Sequence, residues 1–355
     1  MIIKEVLKTT QFWMLIALAY SWSSFYNSYI LFLIYMASFI SVPKVKKIPK
    51  KGLVIFFAVV IHSLIIALFL GIKIDVKQVL HFCLLILMFS IYDFRLTKRF
   101  YKVCLVLLAI ILIATFITAI INYNILLEED GRVKFIFSEP SYLGIFCTIN
   151  AFLLQRDNTK ASELQALVWL VLGALALSGS YMFLAPFIFL GSRAIKAITK
   201  VTALFLILIL LVVIDLNNGS YLYDRITRVM INGPDISATI RFINPFKVGY
   251  DLMSNLGHFF GVGFFSYSSF IDTHNSIFNY LYKYTNGELI FYSGFDNIYG
   301  ILFVAFGIMS IPILAFFISS ANREKRVTSR CYLMLLPMFT GSILSPILML
   351  LYLQK

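Results

Sequence analysis

Charge is what this chain has least of. Asp, Glu, Lys and Arg make up 13% of its 355 residues, about half the roughly 25% of ordinary globular domains, which excludes a soluble enzyme or a disordered tail. Cysteine and histidine are equally scarce, with four of each. Cys83, Cys104, Cys147 and Cys331 lie singly inside apolar runs, without paired spacing or neighbouring histidines, so neither a disulfide framework nor a zinc site is indicated. Also missing are GxxxxGK(S/T), HExxH, GxSxG and any pair of acidic motifs resembling a divalent-metal nucleotide-sugar site. The first apolar run has no small-residue cleavage site and is followed by a second, unlike a cleavable signal.

What abounds is apolar: 60% of the residues are hydrophobic and the mean hydropathy is +0.89. A hydrocarbon core of about 30 Å needs roughly 17 to 25 helical residues to cross it. On that basis the chain divides into about eleven transmembrane helices, at 7–23, 26–42, 52–72, 76–92, 103–123, 139–155, 165–178, 180–191, 201–215, 294–319 and 331–353. The expected fold is an all-α polytopic membrane protein, a single transmembrane domain over 1–355. With a cytoplasmic N-terminus, 20 of the 30 basic residues fall on inner segments, among them Lys44, Lys46, Lys47, Arg95, Arg99, Arg193, Arg323 and Arg326. Only five of the 17 acidic residues do. The net charge of +13 therefore reads as orientation and contact with anionic lipid, with no role for nucleic acid.

Between about residues 216 and 293 lies a large outer loop, too long to be structureless, so short helices are expected within it. Arg241 to Leu256 reads as one, with Phe242, Phe246, Met253 and Leu256 on one side and Asn244, Lys247, Asp251 and Asn255 elsewhere.

Polar groups that do more than orient the chain concentrate on this outer side. In Ser138-Glu139-Pro140-Ser141-Tyr142, proline suits the first helical position, which puts Glu139 at the N-cap of the sixth span. The carboxylate is then either an ordinary cap or a group that pairs with an arginine or takes a proton from a hydroxyl. Arg225, Arg228 and Arg241 carry planar donor forks suited to a diphosphate, or else form local ion pairs. His274, in Asp272-Thr273-His274-Asn275-Ser276, is a base, a phosphate donor or a structural residue. Tyr142, Asp296 and Asn297 are secondary polar candidates. The aromatic stretch Phe278, Tyr280, Tyr282, Tyr284 reads as an interface belt ahead of a sugar platform. His62 and His81 fall within spans and are expected to be satisfied by neighbouring helices. No chain of charged residues lies at mid-membrane, where transporters keep ionisable groups or broken helices, so chemistry at the outer surface is favoured over ion-coupled transport.

These residues carry a resemblance. Phe137-Ser138-Glu139-Pro140-Ser141-Tyr142-Leu143-Gly144, the turn Leu177-Ser178-Gly179-Ser180-Tyr181, Arg241 followed by Gly257 and Gly261-Val262-Gly263, and His274-Asn275 before the penultimate span resemble the O-antigen polymerase (Wzy) family, within the O-antigen ligase and polymerase superfamily. The resemblance implies a bacterial inner-membrane glycosyltransferase that joins undecaprenyl-diphosphate-linked oligosaccharides at the periplasmic face, with no metal and no cofactor. It further implies a partner protein that regulates chain length. Arg241 is then expected to hold the leaving diphosphate, with Arg225 or Arg228 assisting, and Glu139 to act as the base, with His274 second. An O-antigen ligase is the alternative within the same chemistry, and a lipid-linked-oligosaccharide flippase or other transporter the alternative outside it.

Overall fold

The structure is a computed structural model that describes residues 2–41, 50–91, 100–127, 132–157, 159–176, 178–192, 239–285, 288–291, 295 and 297–340. The span expected at 201–215, Arg225, Arg228, Asp296 and residues 341–353 of the last expected span lie outside the described residues.

Helices form where the apolar runs are, because an uninterrupted run of helix-compatible side chains lets the backbone satisfy its own hydrogen bonds. In the first half these are α1 (Ile2–Leu7), α2 (Thr10–Ser21), α3 (Ser28–Ser41), α4 (Lys50–Leu70), α5 (Val76–Ile91) and α6 (Phe100–Ile121). Then follow α7 (Pro140–Asp157), α8 (Lys160–Ala174) and α9 (Gly179–Gly191). Beyond the undescribed stretch come α10 (Asn244–Ser254) and α11 (Tyr267–Thr273), then α12 (Ile298–Phe306), α13 (Ser310–Asn322) and α14 (Val327–Leu335). The described chain is thus mostly helical. One departure from an all-α chain is a small antiparallel hairpin, β1 (Tyr282–Thr285) with β2 (Glu288–Phe291), in register Tyr282 to Phe291. The aromatic stretch expected at the interface runs into it, and Phe278 at its start is fully buried.

Among the described residues, two helices are long and apolar enough to cross a membrane: α6, with 22 residues, and the α12–α13 pair, with 25. Only 22% of the α6 window is covered by the described protein, which leaves Phe116, Ile120 and Ile121 exposed.

The helix at the centre is α7. From Leu143 to Gln155 its side chains are buried all round, packed by α6, α8 and α9, and α14 packs on α9. Two glycines permit the close approach. A Cβ on Gly144 would lie 2.6 Å from Ser178 Oγ and 2.8 Å from Tyr181 Cβ, and one on Gly173 would lie 2.6 Å from the Tyr181 ring. The Tyr181 hydroxyl donates to the Leu170 carbonyl. Helix α8 begins earlier than the apolar run because Thr159 and Ser162 form a reciprocal cap at Lys160.

The α12–α13 span is broken. Gly307 has φ of +54°, and a Cβ there would lie 2.0 Å from Phe259 O, a position only glycine fills. The loop that follows α10 enters the break: the N–H groups of Val262 and Gly263 donate to the Val304 and Ala305 carbonyls at 3.2 and 3.0 Å, and Ile308 N donates to Phe259 O at 2.9 Å. On its other side the loop rests on α4, where Ser63 Oγ accepts the Phe264 N–H at 3.0 Å and His62 Nε2 meets Phe260 O at 3.0 Å. His62 thus bonds a loop backbone while its ring packs on Phe306 of α12 at 4.9 Å, and His81 bonds the backbone of Ser28 in α3. The broken helix was not legible in the apolar pattern.

The short helix expected around residues 241–256 is present as α10; Phe242 and Phe246 keep to an uncovered side, and the side turned inward carries Asn244. Asn244, Pro245, Val248, Gly249 and Leu252 are buried against α12, while Phe242 and Phe246 remain 36% and 38% exposed. Small side chains face inward because the approach is close: a Cβ on Gly249 would lie 2.2 Å from the Phe303 ring, and one on Gly300 would lie 2.2 Å from Pro245 Cβ.

Candidate functional site

Pro140 opens α7, and the backbone carbonyl of Glu139 accepts the Tyr142 N–H at 3.2 Å, so Glu139 stands at the N-cap as expected. The segment before it is held by strand-like contacts with the α2–α3 turn. Ser23 bridges Phe137, Ser24 N donates to Ile136 O at 2.9 Å, and Ser138 N donates to Trp22 O at 2.8 Å. Tyr142, one of the secondary candidates, stacks on Trp22 with ring centroids 5.3 Å apart.

A second helix start lies beside this one. Ser178 caps α9 by accepting the Tyr181 N–H at 3.3 Å, and Gly144 lets that cap press against the first turn of α7. Two helix N-termini with their partial positive charge therefore lie side by side. Arg241 reaches both of them. Its Nη1 donates to Ser180 Oγ at 3.3 Å and its Nη2 to Ser141 Oγ at 3.5 Å, with Glu139 Oε2 at 3.7 Å from Nη2. Ser141 Oγ donates in turn to Glu139 Oε2 at 2.8 Å. The Arg241 side chain is 12% exposed and that of Glu139 48%, so the cation is fixed while the carboxylate opens to its surroundings.

Arg241 is carried on a π-helical turn, Thr239–Ile243, which leads into α10; such widened turns recur at functional sites. Asn297 touches the same turn from α12, its Nδ2 donating to Arg241 O at 2.8 Å. Of the sequence-derived candidates, then, Glu139 and Arg241 meet directly, Asn297 meets Arg241, and Tyr142 flanks them.

His274 belongs to another cluster. It follows α11, with Nδ1 2.9 Å from Phe270 O and 3.1 Å from Thr273 Oγ1, and its ring stacks on Phe270 at 4.1 Å. His258 meets the same Phe270 ring edge-on at 5.4 Å. Burial, and then the neighbouring His274, hold the His258 pKa below its usual value. Nearby, the Tyr280 hydroxyl donates to Asp251 Oδ2 at 2.9 Å and Lys247 Nζ sits 3.8 Å from the Tyr280 ring centroid. Burial, followed by the hydrogen bond to Asp251 and its charge, pushes the Tyr280 phenol well up.

The residues that sequence reasoning left without a role are Ser141 and Ser180. Both lie inside the two motifs quoted above, but only the packing of α7 on α9 shows that they converge on one guanidinium. Chemically, the arrangement offers a fixed cation with a planar donor edge, two hydroxyls and two helix starts for an anion, beside a half-exposed carboxylate for a hydroxyl. The class defined so far is a mostly helical protein with, among the described residues, two helices long and apolar enough to span a membrane and an Arg–Ser–Glu cluster between helix N-termini. No protein-family model, curated protein or solved structure matches the chain.

Proposed function

We propose that the protein is a multi-pass bacterial inner-membrane glycosyltransferase of the O-antigen polymerase type. It joins undecaprenyl-diphosphate-linked oligosaccharide repeat units at the periplasmic face, uses no metal or cofactor, and works with a chain-length regulator. The observation that carries this reading is the contact between Glu139 and Arg241, 102 residues apart in sequence and within 3.7 Å in the fold. Three of the four features quoted for the resemblance, those of Glu139, Ser180 and Arg241, meet in one site.

The proposed topology has about eleven spans with the N-terminus inside. Its support is the axis of α7, whose 18 residues extend about 27 Å, close to a hydrocarbon core. Glu139 stands at one end. At the other, Arg156 pairs with Glu324, and Arg326 donates to the Gly191 carbonyl at 2.6 Å, in keeping with a basic inner face.

In the proposed step, a sugar hydroxyl of one lipid-linked unit gives its proton to Glu139 as its oxygen bonds to the anomeric carbon of a second. The anomeric carbon–oxygen bond to the diphosphate breaks, and the electron pair leaves with undecaprenyl diphosphate. Negative charge grows on that diphosphate, and Arg241 together with the helix starts of α7 and α9 lies where it would be stabilised. Confining both lipids to the membrane plane supplies proximity. Arg225 and Arg228 are proposed as further diphosphate contacts. His274, with Nδ1 engaged by Phe270 O and its ring stacked on Phe270, is better suited to shaping the loop than to taking the proton.

The test is glycan profiling of cells lacking the gene, complemented with wild type, Glu139→Gln, Arg241→Ala and Arg241→Lys at matched expression. Wild type is expected to restore long chains. Both Glu139→Gln and Arg241→Ala should lower polymer by about 100-fold or more, as removal of a transition-state donor does. Arg241→Lys should recover little, because a point charge cannot replace the fork that spans Ser141 and Ser180. Polymer stranded on undecaprenyl diphosphate in the deletion strain would instead favour a ligase. Transport is the second reading, and the broken α12–α13 span favours it. Against it, the carbonyls freed at Val304 and Ala305 already accept protein N–H groups; repeat units left on the cytoplasmic face would decide for it.

A further inference from the structure

We propose that Asn297 is a positioning residue for Arg241, acting through its backbone carbonyl and tying it to the start of α12. The inference rests on the reading of Arg241 as the diphosphate contact.

In an α-helix the Arg241 carbonyl would accept from the N–H four residues on, but that residue is Pro245, which has none, and the turn that carries Arg241 is π-helical instead. Asn297 Nδ2 supplies a donor at 2.8 Å, while its Oδ1 accepts the Gly300 N–H at 3.3 Å and caps α12. Both ends of one amide are in use, and the side chain is fully buried. No other side chain of that size does both. A carboxylate keeps the cap and loses the donor, and an apolar isostere loses both.

The same two elements interlock a turn further on, where Gly300 lies against Pro245 and Gly249 against Phe303 with no room for a Cβ. The turn carrying Arg241 is therefore seated on α12 by one buried hydrogen bond and two glycine contacts. A guanidinium that must hold two serines and a developing charge tolerates little displacement, since a shift of about 1 Å in a reacting group costs on the order of 100-fold in rate. The charged side chains these contacts bring to this end of α12 are Arg241 and, through it, Glu139.

The experiment uses the full-length protein in nanodiscs, as wild type, Asn297→Ala and Asn297→Asp. The Asp variant retains the helix cap, which keeps the test usable if Asn297→Ala does not fold. Hydrogen–deuterium exchange is read for the amides of residues 239–246, with α6 as the internal reference. Polymer formation from lipid-linked repeat units is read relative to wild type between about pH 5.5 and pH 8.5.

Positioning predicts faster exchange at 239–246 with α6 unchanged in both variants. It also predicts a pH-independent loss of about 10- to 100-fold in Asn297→Ala. Asn297→Asp gives the distinctive signature: a protonated carboxyl can donate to Arg241 O and an ionised one cannot, so its activity relative to wild type falls as pH rises. A residue that only stabilises α12 would give a flat ratio in both variants. Unchanged exchange at 239–246, or wild-type polymer formation in Asn297→Ala, overturns the proposal. If wild type forms no polymer, the polymerase reading fails, and the exchange measurement alone still decides Asn297.

Discussion

His258 and His274 meet the Phe270 ring from two directions, edge-on and stacked, and through His258 this small cluster couples the stability of its loop to pH. A histidine whose folded pKa is lowered favours the neutral form in the fold, so the stability it contributes is complete above its ordinary value near 6.5. That stability is lost as pH falls from there through the lowered folded value, because the unfolded chain takes up the proton first. His258→Gln is therefore expected to flatten the decline in melting temperature between about pH 7.5 and pH 5.5 that wild type shows. An equal decline in both proteins would mean that His258 does not contribute. Arg241 and Glu139 illustrate a different residue-scale rule. A pair of which one member is half exposed adds little to stability, about 1 kcal/mol or less. Its value is in holding a cation and a carboxylate at one place, so variants at these positions should change activity far more than folding.

Among elements, the decisive contact is that of α7 with α9. The two helix starts come together because Gly144 has no side chain, and their serines then face one guanidinium. In Gly144→Ala the added methyl would meet Ser178 Oγ at 2.6 Å and Tyr181 Cβ at 2.8 Å, neither of them the free end of a long side chain. The expected cost is about 1 to 3 kcal/mol, with a lower melting temperature and loss of polymer at matched expression. The measurement that checks it is the melting curve in detergent beside the glycan profile; a variant equal to wild type in both would show that the helices separate without consequence. The broken α12–α13 span has a comparable dependence on glycine, at Gly307 and at Gly261, where a Cβ would lie 2.4 Å from the Ala305 backbone.

For the molecule as a whole, charge does two things at once. The basic residues of the proposed inner face orient the chain, and several are also fasteners: Arg156 with Glu324, Arg330 with the Glu324 carbonyl at 2.6 Å, and Arg326 at the end of α9. Cations at helix C-termini are favourable in their own right. The proposed topology puts residues 47 and 326 in the cytoplasm and residues 255 and 275 outside. Reporter fusions at these four positions check it, and an outside signal at 47 or 326 would remove both the eleven-span count and the periplasmic site. The exposed apolar side chains of α6 agree with lipid as its surroundings, since water would leave Phe116 and Ile120 at high cost.

Much of this was readable without coordinates. Low charge and long apolar runs fix a helical chain, because in such a run only internal hydrogen bonding satisfies the backbone, and Ser138-Glu139-Pro140 announces a helix start through the fixed geometry of proline. Local rules of this kind need no knowledge of distant residues. The meeting of Glu139 with Arg241, the convergence of Ser141 and Ser180, the packing of α10 on α12 and the loop held in the break at Gly307 were decided by tertiary packing alone. Each depends on how closely two segments far apart in the chain approach, which small residues such as Gly144, Gly249 and Gly300 permit but do not announce. A hydrophobic pattern records which side chains avoid water, and the partner that covers each one is chosen only when the helices pack.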